Sequence, residues 1–310
     1  MRVAIVGAGL AGLACADQLV AGGHQVSLFD KGRGPGGRMS TRRMEDGWAF
    51  DHGAPWFAAH DPAFREELVD WAWQGLAARW PDPQSDLWVG VPGMNALVAH
   101  LAGRHRVVFG MAITALVRAG EAWWLHAGTR ALGPFDAVVL AIPAEQAALL
   151  AGLHDFAMGR AAAQVTSLPC WTGLFAFAEP IAAPDVIENA GAIRLALRDG
   201  AKPGRGGAET WVVHASLAWS KSALEEDKEA IAPRLLAALA QAVGQALPEP
   251  VVAAAHRWRF AMPRAGHEGV AGRAIWNRAL HLGACGDWLA GSGVEAAWLS
   301  GRALAARITG

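Results

Sequence analysis

The apolar positions of this chain fall into alternating strand-like and helix-like runs. Residues 2–6 (RVAIV) and 25–30 (QVSLFD) are short β-rich stretches. The Ala/Leu-rich segment between them, up to Val20, reads as a helix stopped by Gly22-Gly23. Together they form a strand–helix–strand unit of about 30 residues, the length of a parallel crossover. Further on, Asp61-Pro62 reads as an N-cap and first helical position. Phe64, Leu68 and Trp71 follow at helical spacing, which predicts an amphipathic helix over 62–79. The proline-rich residues 81–93 read as a connection, and 94–102 as a short helix.

From 106 to 142 the pattern changes to short strand-like runs separated by Gly-containing turns. Residues 144–152 read as helix, and 165–219 hold further strands. Between those strands the polar stretch 198–208 reads as an exposed loop. Ser222 with Glu225 looks like a capping box for a helix carrying Leu235, Leu236, Leu239 and Val243, which Pro233 should kink or restart. Residues 251–260 and 280–284 are strand-like. From Val294 the apolar positions 297, 298, 301, 304, 305 and 308 mark one helical face.

This order predicts a mixed α/β fold: a Rossmann-type nucleotide-binding domain made from both ends of the chain, with a β-sheet substrate domain inserted. The expected segments are 1–58, 88–150 and 275–310 for the nucleotide domain. A helical part of the substrate domain takes 59–87 and its main body 151–274.

Composition narrows the function classes. The chain has 310 residues, 53% hydrophobic and 18% charged, enough for a sizeable core. With 27 basic and 28 acidic residues, it is not built mainly to grip nucleic acid or an anionic membrane. No stretch reads as a membrane span. The three cysteines, Cys15, Cys170 and Cys285, are far apart in sequence and form neither a disulfide framework nor a zinc motif, so a reducing cytoplasm is the simplest compartment. A signal-peptide reading of the N-terminus is rejected, because cleavage would destroy the strongest motif.

That motif is Gly7-x-Gly9-x-x-Gly12. It follows a strand and opens a helix, and Asp30 ends the next strand: the full context of a dinucleotide fingerprint. Gly7 permits the tight turn, Gly9 lets backbone approach a pyrophosphate, and Gly12 allows close helix–sheet packing. The helix N-terminus offers free N–H groups and partial positive charge. Asp30 is placed to accept from adenosine ribose hydroxyls. Gly36-Gly37-Arg38, just beyond, supplies a second side for a diphosphate. Gly286-Asp287, before the helix at Val294, is placed to meet a ribityl hydroxyl or a diphosphate-bound water, with the helix N-terminus at the flavin N1–C2=O edge. The three signals together point to FAD.

The runs at 6–16 (VGAGLAGLACA), 34–43 (GPGGRMSTRR), 50–57 (FDHGAPWF), 256–263 (HRWRFAMP) and 286–301 (GDWLAGSGVEAAWLSG) resemble the renalase-like group of bacterial FAD-dependent oxidoreductases, related to the amine-oxidase-like flavoproteins. Residues 150–250 match weakly. Gly291-Ser292-Gly293-Val294-Glu295 departs from the family's commoner Gly-Gly-x-Val-Glu. The resemblance implies a p-hydroxybenzoate-hydroxylase-like two-domain fold with non-covalently bound FAD. It also implies oxidation of isomeric (2- or 6-) dihydro-NAD(P) to NAD(P)+, with O2 reoxidising the flavin to H2O2. The candidate cofactor contacts are Gly7, Gly9, Ala11, Gly12, Asp30, Lys31, Gly36, Gly37, Arg38, Met39, Gly53, Ala54, Gly286, Asp287 and Val294.

Hydride transfer to flavin N5 needs no strong acid or base, so orientation and electrostatics are the protein's share. Trp56 and Trp288 are expected to wall the substrate pocket, and His256 to touch a nicotinamide or ribose. Arg257 and Arg259 are candidates for a substrate phosphate, but strand alternation turns both away from His256. An amine oxidase is the nearest rival; against it, the chain has no Tyr, and none of Lys31, Lys202, Lys221 and Lys228 has an evident route to the flavin. A disulfide reductase would need a second GxGxxG and a paired CxxxxC, both missing. A flavin monooxygenase and a flavin-binding redox sensor remain open.

Overall fold

A computed structural model describes residues 1–264 and 272–310. Its central feature is a six-stranded sheet in the order Ile275–Asn277, Leu282–Ala284, Ala137–Leu140, Arg2–Val6, Gln25–Phe29, Val107–Val108. All neighbours are parallel except the outermost Ile275–Asn277 pairing. Val3, Ala4, Ile5 and residues 137–140 are fully buried, because helices and side structures cover both faces of a parallel sheet. The fingerprint helix is Leu10–Ala21 and the C-terminal helix Val294–Thr309. They cross closely at Gly301, where a Cβ would lie 2.1 Å from the Ala11 carbonyl oxygen.

A second, five-stranded antiparallel sheet runs Val186–Ala190, Ile193–Arg198, Thr210–Ala215, Ser167–Ala176, Val252–Pro263. Alternation gives it two different faces. Trp171, Phe175, Trp211 and Val213 pack beneath the helix Lys228–Val243 through Ile231, Leu235 and Leu239. On the opposite face, Leu174, Ala176 and Val212 meet Phe50 of the strand Ala49–Asp51. Beyond Phe50 that face turns polar. Smaller sheets pair Thr41–Arg43 with Ala49–Asp51, and Leu87–Gly90 with Phe57–Ala58 and Ala77–Arg79.

Five local expectations need correction. The helix predicted over 62–79 stops at Trp73; Gly75 turns the chain at φ 71°, and Ala77–Arg79 becomes a strand. The connection 81–93 contains the strand Leu87–Gly90. Ser222 does not open a capping box but ends the helix Leu217–Ser222, whose own N-cap is Ser216; the next helix starts after Asp227. That helix runs unbroken through Pro233, its apolar face held against the sheet. The stretch 198–208 is exposed only in part: Gly204, Gly206 and Gly207 face solvent, whereas Asp199 and Lys202 are 1% and 2% exposed, because their charges are paired inside the protein. The cysteines are free, buried thiols.

Candidate active site

The fingerprint loop has the geometry its glycines require. Gly7 sits at φ 103°, and a Cβ there would fall 2.3 Å from the Ala141 carbonyl oxygen. A Cβ on Gly12 would fall 2.1 Å from the Gly7 carbonyl oxygen. Gly9 differs: a Cβ there meets nothing within 4 Å. Gly9 caps its helix without a side chain, and the first turn holds no acidic residue. The N–H groups of that turn therefore have no side-chain cap, their positive end is uncompensated, and the space beside Gly9 is open, which suits a diphosphate. Gly37, at φ 53°, brings the second glycine loop over this opening, 3.6 Å from the Gly9 Cα measured from its own would-be Cβ.

Asp30 is already engaged. Its two carboxylate oxygens accept from Ala8 N at 2.7 Å and Gly32 N at 2.6 Å. It ties the fingerprint turn to the following loop, and its remaining lone pairs are what is left for a ribose. Lys31 beside it is exposed, Met39 is core, and Ala11 packs beneath the C-terminal helix.

Arg38 and Asp287 were expected to meet the cofactor separately. The structure joins them in a two-pronged pair, with Nη1 to Oδ2 at 2.8 Å and Nη2 to Oδ1 at 2.7 Å. The Arg38 carbonyl accepts from Ala54 N at 2.8 Å. A Cβ on Gly53 would lie 2.0 Å from that carbonyl oxygen. Arg38, Gly53, Ala54, Gly286 and Asp287 are thus brought to one place by contacts among themselves. Val294 is buried at the start of its helix, whose Glu295 accepts from His60 N and Asp61 N at 2.6 and 2.7 Å.

Trp288, expected as a pocket wall, is a core residue. It is 3% exposed, and its indole N–H donates to the Ile142 carbonyl at 3.1 Å. Trp56 is half-buried, its ring 5.9 Å from Trp80.

Beside His256, which sequence reading singled out, the polar face of the five-stranded sheet carries residues that it did not. In one cross-strand row stand His214, Thr172 and His256. His52, from the 50–57 run, lies edge-on to His256 at 4.7 Å, and Trp258 donates from its indole to the His52 carbonyl at 2.8 Å. Burial, then the neighbouring His256 ring and the charge of Arg42, pushes the His52 imidazole down to about 4. Burial and Arg42 bring His256 to about 4. Burial, Arg194, Lys202 and His52 bring His214 to about 3. All three rings are neutral at neutral pH.

Arg257 and Arg259 do not join this face. Arg257 donates to the Leu224 carbonyl and Arg259 grips Glu225 with both prongs, at 2.6 and 2.7 Å, on the far side.

Beside His52 lies a buried charge cluster. Lys202 Nζ is 2.7 Å from Asp199 and 3.5 Å from Asp51. Arg205 also pairs with Asp51 and donates to the Gly90 carbonyl at 2.7 Å. Asp51 accepts from Thr41 Oγ1 at 2.6 Å and Met94 N at 2.9 Å, while its own N–H donates to Asp199 at 3.0 Å. Burial alone raises the Asp51 carboxyl, but Lys202, Arg205 and these hydrogen bonds more than reverse it, leaving it below the ordinary value. Lys202 also sits over the Trp80 ring, 5.8 Å from its centroid. The only hint in the sequence was the Asp199/Lys202 spacing; their partner Asp51 is remote in the chain.

No metal-binding cluster of His, Cys, Asp or Glu occurs among the described residues, and no helix among them is long and apolar enough to cross a membrane.

Known proteins share this architecture. Residues 5–70 match the NAD(P)-binding Rossmann-like domain model, and residues 78–309 match the flavin containing amine oxidoreductase model. Over 53 residues the chain is 53% identical to a 4,4'-diapophytoene desaturase of Staphylococcus haemolyticus. That match spans 17% of this chain and a tenth of the relative's length. A chain from Exiguobacterium sp. 255-15 assigned as a protoporphyrinogen oxidase superposes with a TM-score of 0.80 at 14% identity, over 99% of this chain and 98% of that one. Cyclohexylamine oxidase from Brevibacterium oxydans does so at 0.71 and 13%, over 99% and 98%. These likenesses carry the fold. The family model covers most of the chain, and the uncapped fingerprint turn beneath the second glycine loop suits the diphosphate of FAD, so this chain is an FAD-dependent oxidoreductase belonging to the flavin containing amine oxidoreductase family.

Proposed function

We propose that this enzyme oxidises isomeric (2- or 6-) dihydro-NAD(P) to NAD(P)+. The turn after Gly9 and the loop at Gly37 would hold FAD, which when bound would supply the two-electron chemistry between the substrate and O2, with H2O2 as the product. The protein's task is to present an electron-rich dihydropyridine and to favour the pyridinium-bearing product's anionic tail. His256 supplies a neutral hydrogen-bonding ring for the carboxamide or ribose, and half-buried Trp56 a flat apolar wall.

One observation carries the reading. The polar sheet face holds three neutral imidazoles and the guanidinium groups of Arg42 and Arg194, while the neighbouring carboxylates Asp51 and Asp199 are neutralised by Lys202 and Arg205. Among the described residues, that face offers a protonated amine no carboxylate without a cation beside it. A substrate with a neutral ring and anionic phosphates meets complementary charge.

The test is anaerobic stopped-flow absorbance of the FAD-loaded enzyme mixed with 2- and 6-dihydro-NAD(P), ordinary NADH and a panel of primary amines. Rapid bleaching of the flavin band by the isomers alone is expected. Bleaching by amines alone would assign an amine oxidase instead. A flavin that none of them reduces would favour a monooxygenase or a redox sensor.

A further inference from the structure

His256, assigned to the substrate above, is held by rings and not by hydrogen bonds. It is half-buried and lines a cleft of about 330 Å3 along the edge strand Val252–Pro263. Neither of its ring nitrogens has a hydrogen-bond partner among the described residues. Its neighbours are two rings: His52, edge-on at 4.7 Å and 89°, and Trp258, at 4.5 Å and 65°. His52 and Trp258 also meet each other, at 5.1 Å. The three rings close a triangle, and edge-to-face contacts of this kind are directional. Turning the His256 imidazole means moving it off one of the other two.

Trp258 joins this triangle to the cofactor side. It stands two residues beyond His256 on the same strand, so alternation puts both on one sheet face, with Thr172 and Cys170 as their register partners. Its indole N–H donates to the His52 carbonyl at 2.8 Å. His52 adjoins Gly53, and its Nε2 lies 3.5 Å from Oγ of Ser40, just after the second glycine loop. Beyond Trp258 the register slips: Cys170 faces Trp258 while Leu168 faces Met262, so three residues intervene on one strand and one on the other. This bulge sends Arg259 outward to Glu225 and brings the Ala261 carbonyl to Arg38 Nη1 at 3.4 Å. The strand thus runs from the cleft, past the ring triangle, to the Arg38–Asp287 pair.

We propose that Trp258 is a positioning residue: by holding the His52 carbonyl and lying against both imidazoles, it fixes the plane in which His256 meets substrate. The neutral His256 ring keeps one donor and one acceptor nitrogen free, and the triangle decides where they point. Aim of this kind acts on the rate of transfer, where a displacement of about 1 Å can cost on the order of a hundredfold. What His256 meets rests on the function proposed above; the ring arrangement rests on the contacts alone.

The experiment uses FAD-loaded enzyme and the anaerobic rate constant of flavin reduction by isomeric dihydro-NAD. Trp258→Leu, which removes both ring and donor, slows reduction about tenfold or more, and Trp258→Phe, which keeps a ring, recovers part of the rate. Trp73→Leu, at a helix end where the side chain is 86% exposed, leaves it unaltered. A cycle with His256→Ala separates positioning from general damage: Trp258→Leu combined with His256→Ala is no slower than His256→Ala alone, because the indole acts through a ring that is already gone. Independently of any substrate, NMR of the loaded enzyme carrying nitrogen-labelled histidine follows the His256 ring, identified by its loss in His256→Ala. Its resonances move in Trp258→Leu and move less in Trp258→Phe. If no dihydronicotinamide reduces the flavin, the proposed function fails and the NMR comparison alone decides the positioning. If Trp258→Leu does not fold, Trp258→Phe carries both comparisons. Losses that multiply in the double variant, or His256 resonances that neither Trp258 variant moves, would overturn the proposal.

Discussion

Arg38 and Asp287, at opposite ends of the chain, hold each other through two parallel hydrogen bonds of 2.8 and 2.7 Å. The Asp287 side chain is 4% exposed and the Arg38 side chain 33%. The carboxylate thus depends on Arg38, while the guanidinium keeps some access to water or to a ligand. Arg38→Met should destabilise the fold by about 2–3 kcal/mol, below the full value for a buried pair because one partner is partly solvated. It should also lower FAD occupancy. Adding Asp287→Asn should restore part of the stability, since the stranded charge is then gone. Urea unfolding of the four members of this cycle, with the 450-to-280 nm absorbance ratio, measures both effects; strictly additive losses would show that the pair is not coupled.

Gly9 and Gly12 should separate folding from cofactor binding. Gly9→Ala adds a methyl group that meets no protein atom within 4 Å. The cofactor-free variant should unfold within about 0.5 kcal/mol of wild type, yet bind FAD at least tenfold more weakly by fluorescence titration. Gly12→Ala forces a methyl to 2.1 Å from the Gly7 carbonyl and should reduce stability itself. Equal thermal shifts for the two would contradict this division.

The histidine row makes stability depend on pH. The folded His52 and His214 titrate near 4 and 3, below the unfolded value of about 6.5. Their neutral forms are favoured by the fold, so the stabilisation is complete above pH 6.5 and declines as pH falls toward 4 and 3. Unfolding takes up protons in that window, and stability should fall from pH 7 to pH 5 by about 2 kcal/mol for each of these two rings, with a smaller share from half-exposed His256. Urea titrations at both pH values measure it. His214→Gln should flatten the slope; a slope the variant does not alter would remove His214 from the account.

The Asp51 cluster operates in a lower range. Its folded carboxyl lies below 3.8, so its contribution is intact above about pH 4 and is lost as pH falls through the folded value. Lys202→Met leaves Asp51 and Asp199 sharing one remaining cation in a buried site and should cost about 3–5 kcal/mol. Lys202→Met combined with Asp199→Asn should recover much of it. Circular-dichroism melts of the single and double variants report the difference.

How much was legible in the sequence follows from where each partner sits. The fingerprint, Asp30 and the C-terminal helix were readable because their determinants lie within one or two turns of each other. Asp61 declared its helix for the same reason, whereas that helix's end was overrun because Gly75 is a single residue against a continuing apolar pattern. The 198–208 stretch misled because charge in a sequence reads as solvent exposure until its partners are known, and Asp51 is supplied from another part of the fold. Trp288 was assigned to the pocket from its neighbour Asp287, but the turn that exposes the carboxylate to Arg38 drives the indole inward. His52 was inside a quoted motif, and nothing local set it apart until the strand carrying His256 and Trp258 lay against it.

The six-stranded sheet takes its strands from residues 2–6, 25–29, 107–108, 137–140, 275–277 and 282–284. During synthesis the fingerprint turn is made long before the strand that precedes Asp287 and the helix that closes on Ala11. Until then Arg38 has no carboxylate and one edge of the parallel sheet is open. A chain made only to a point before Leu282 therefore has an incomplete cofactor cradle, and the two halves of that cradle meet only once the later segment has joined the sheet.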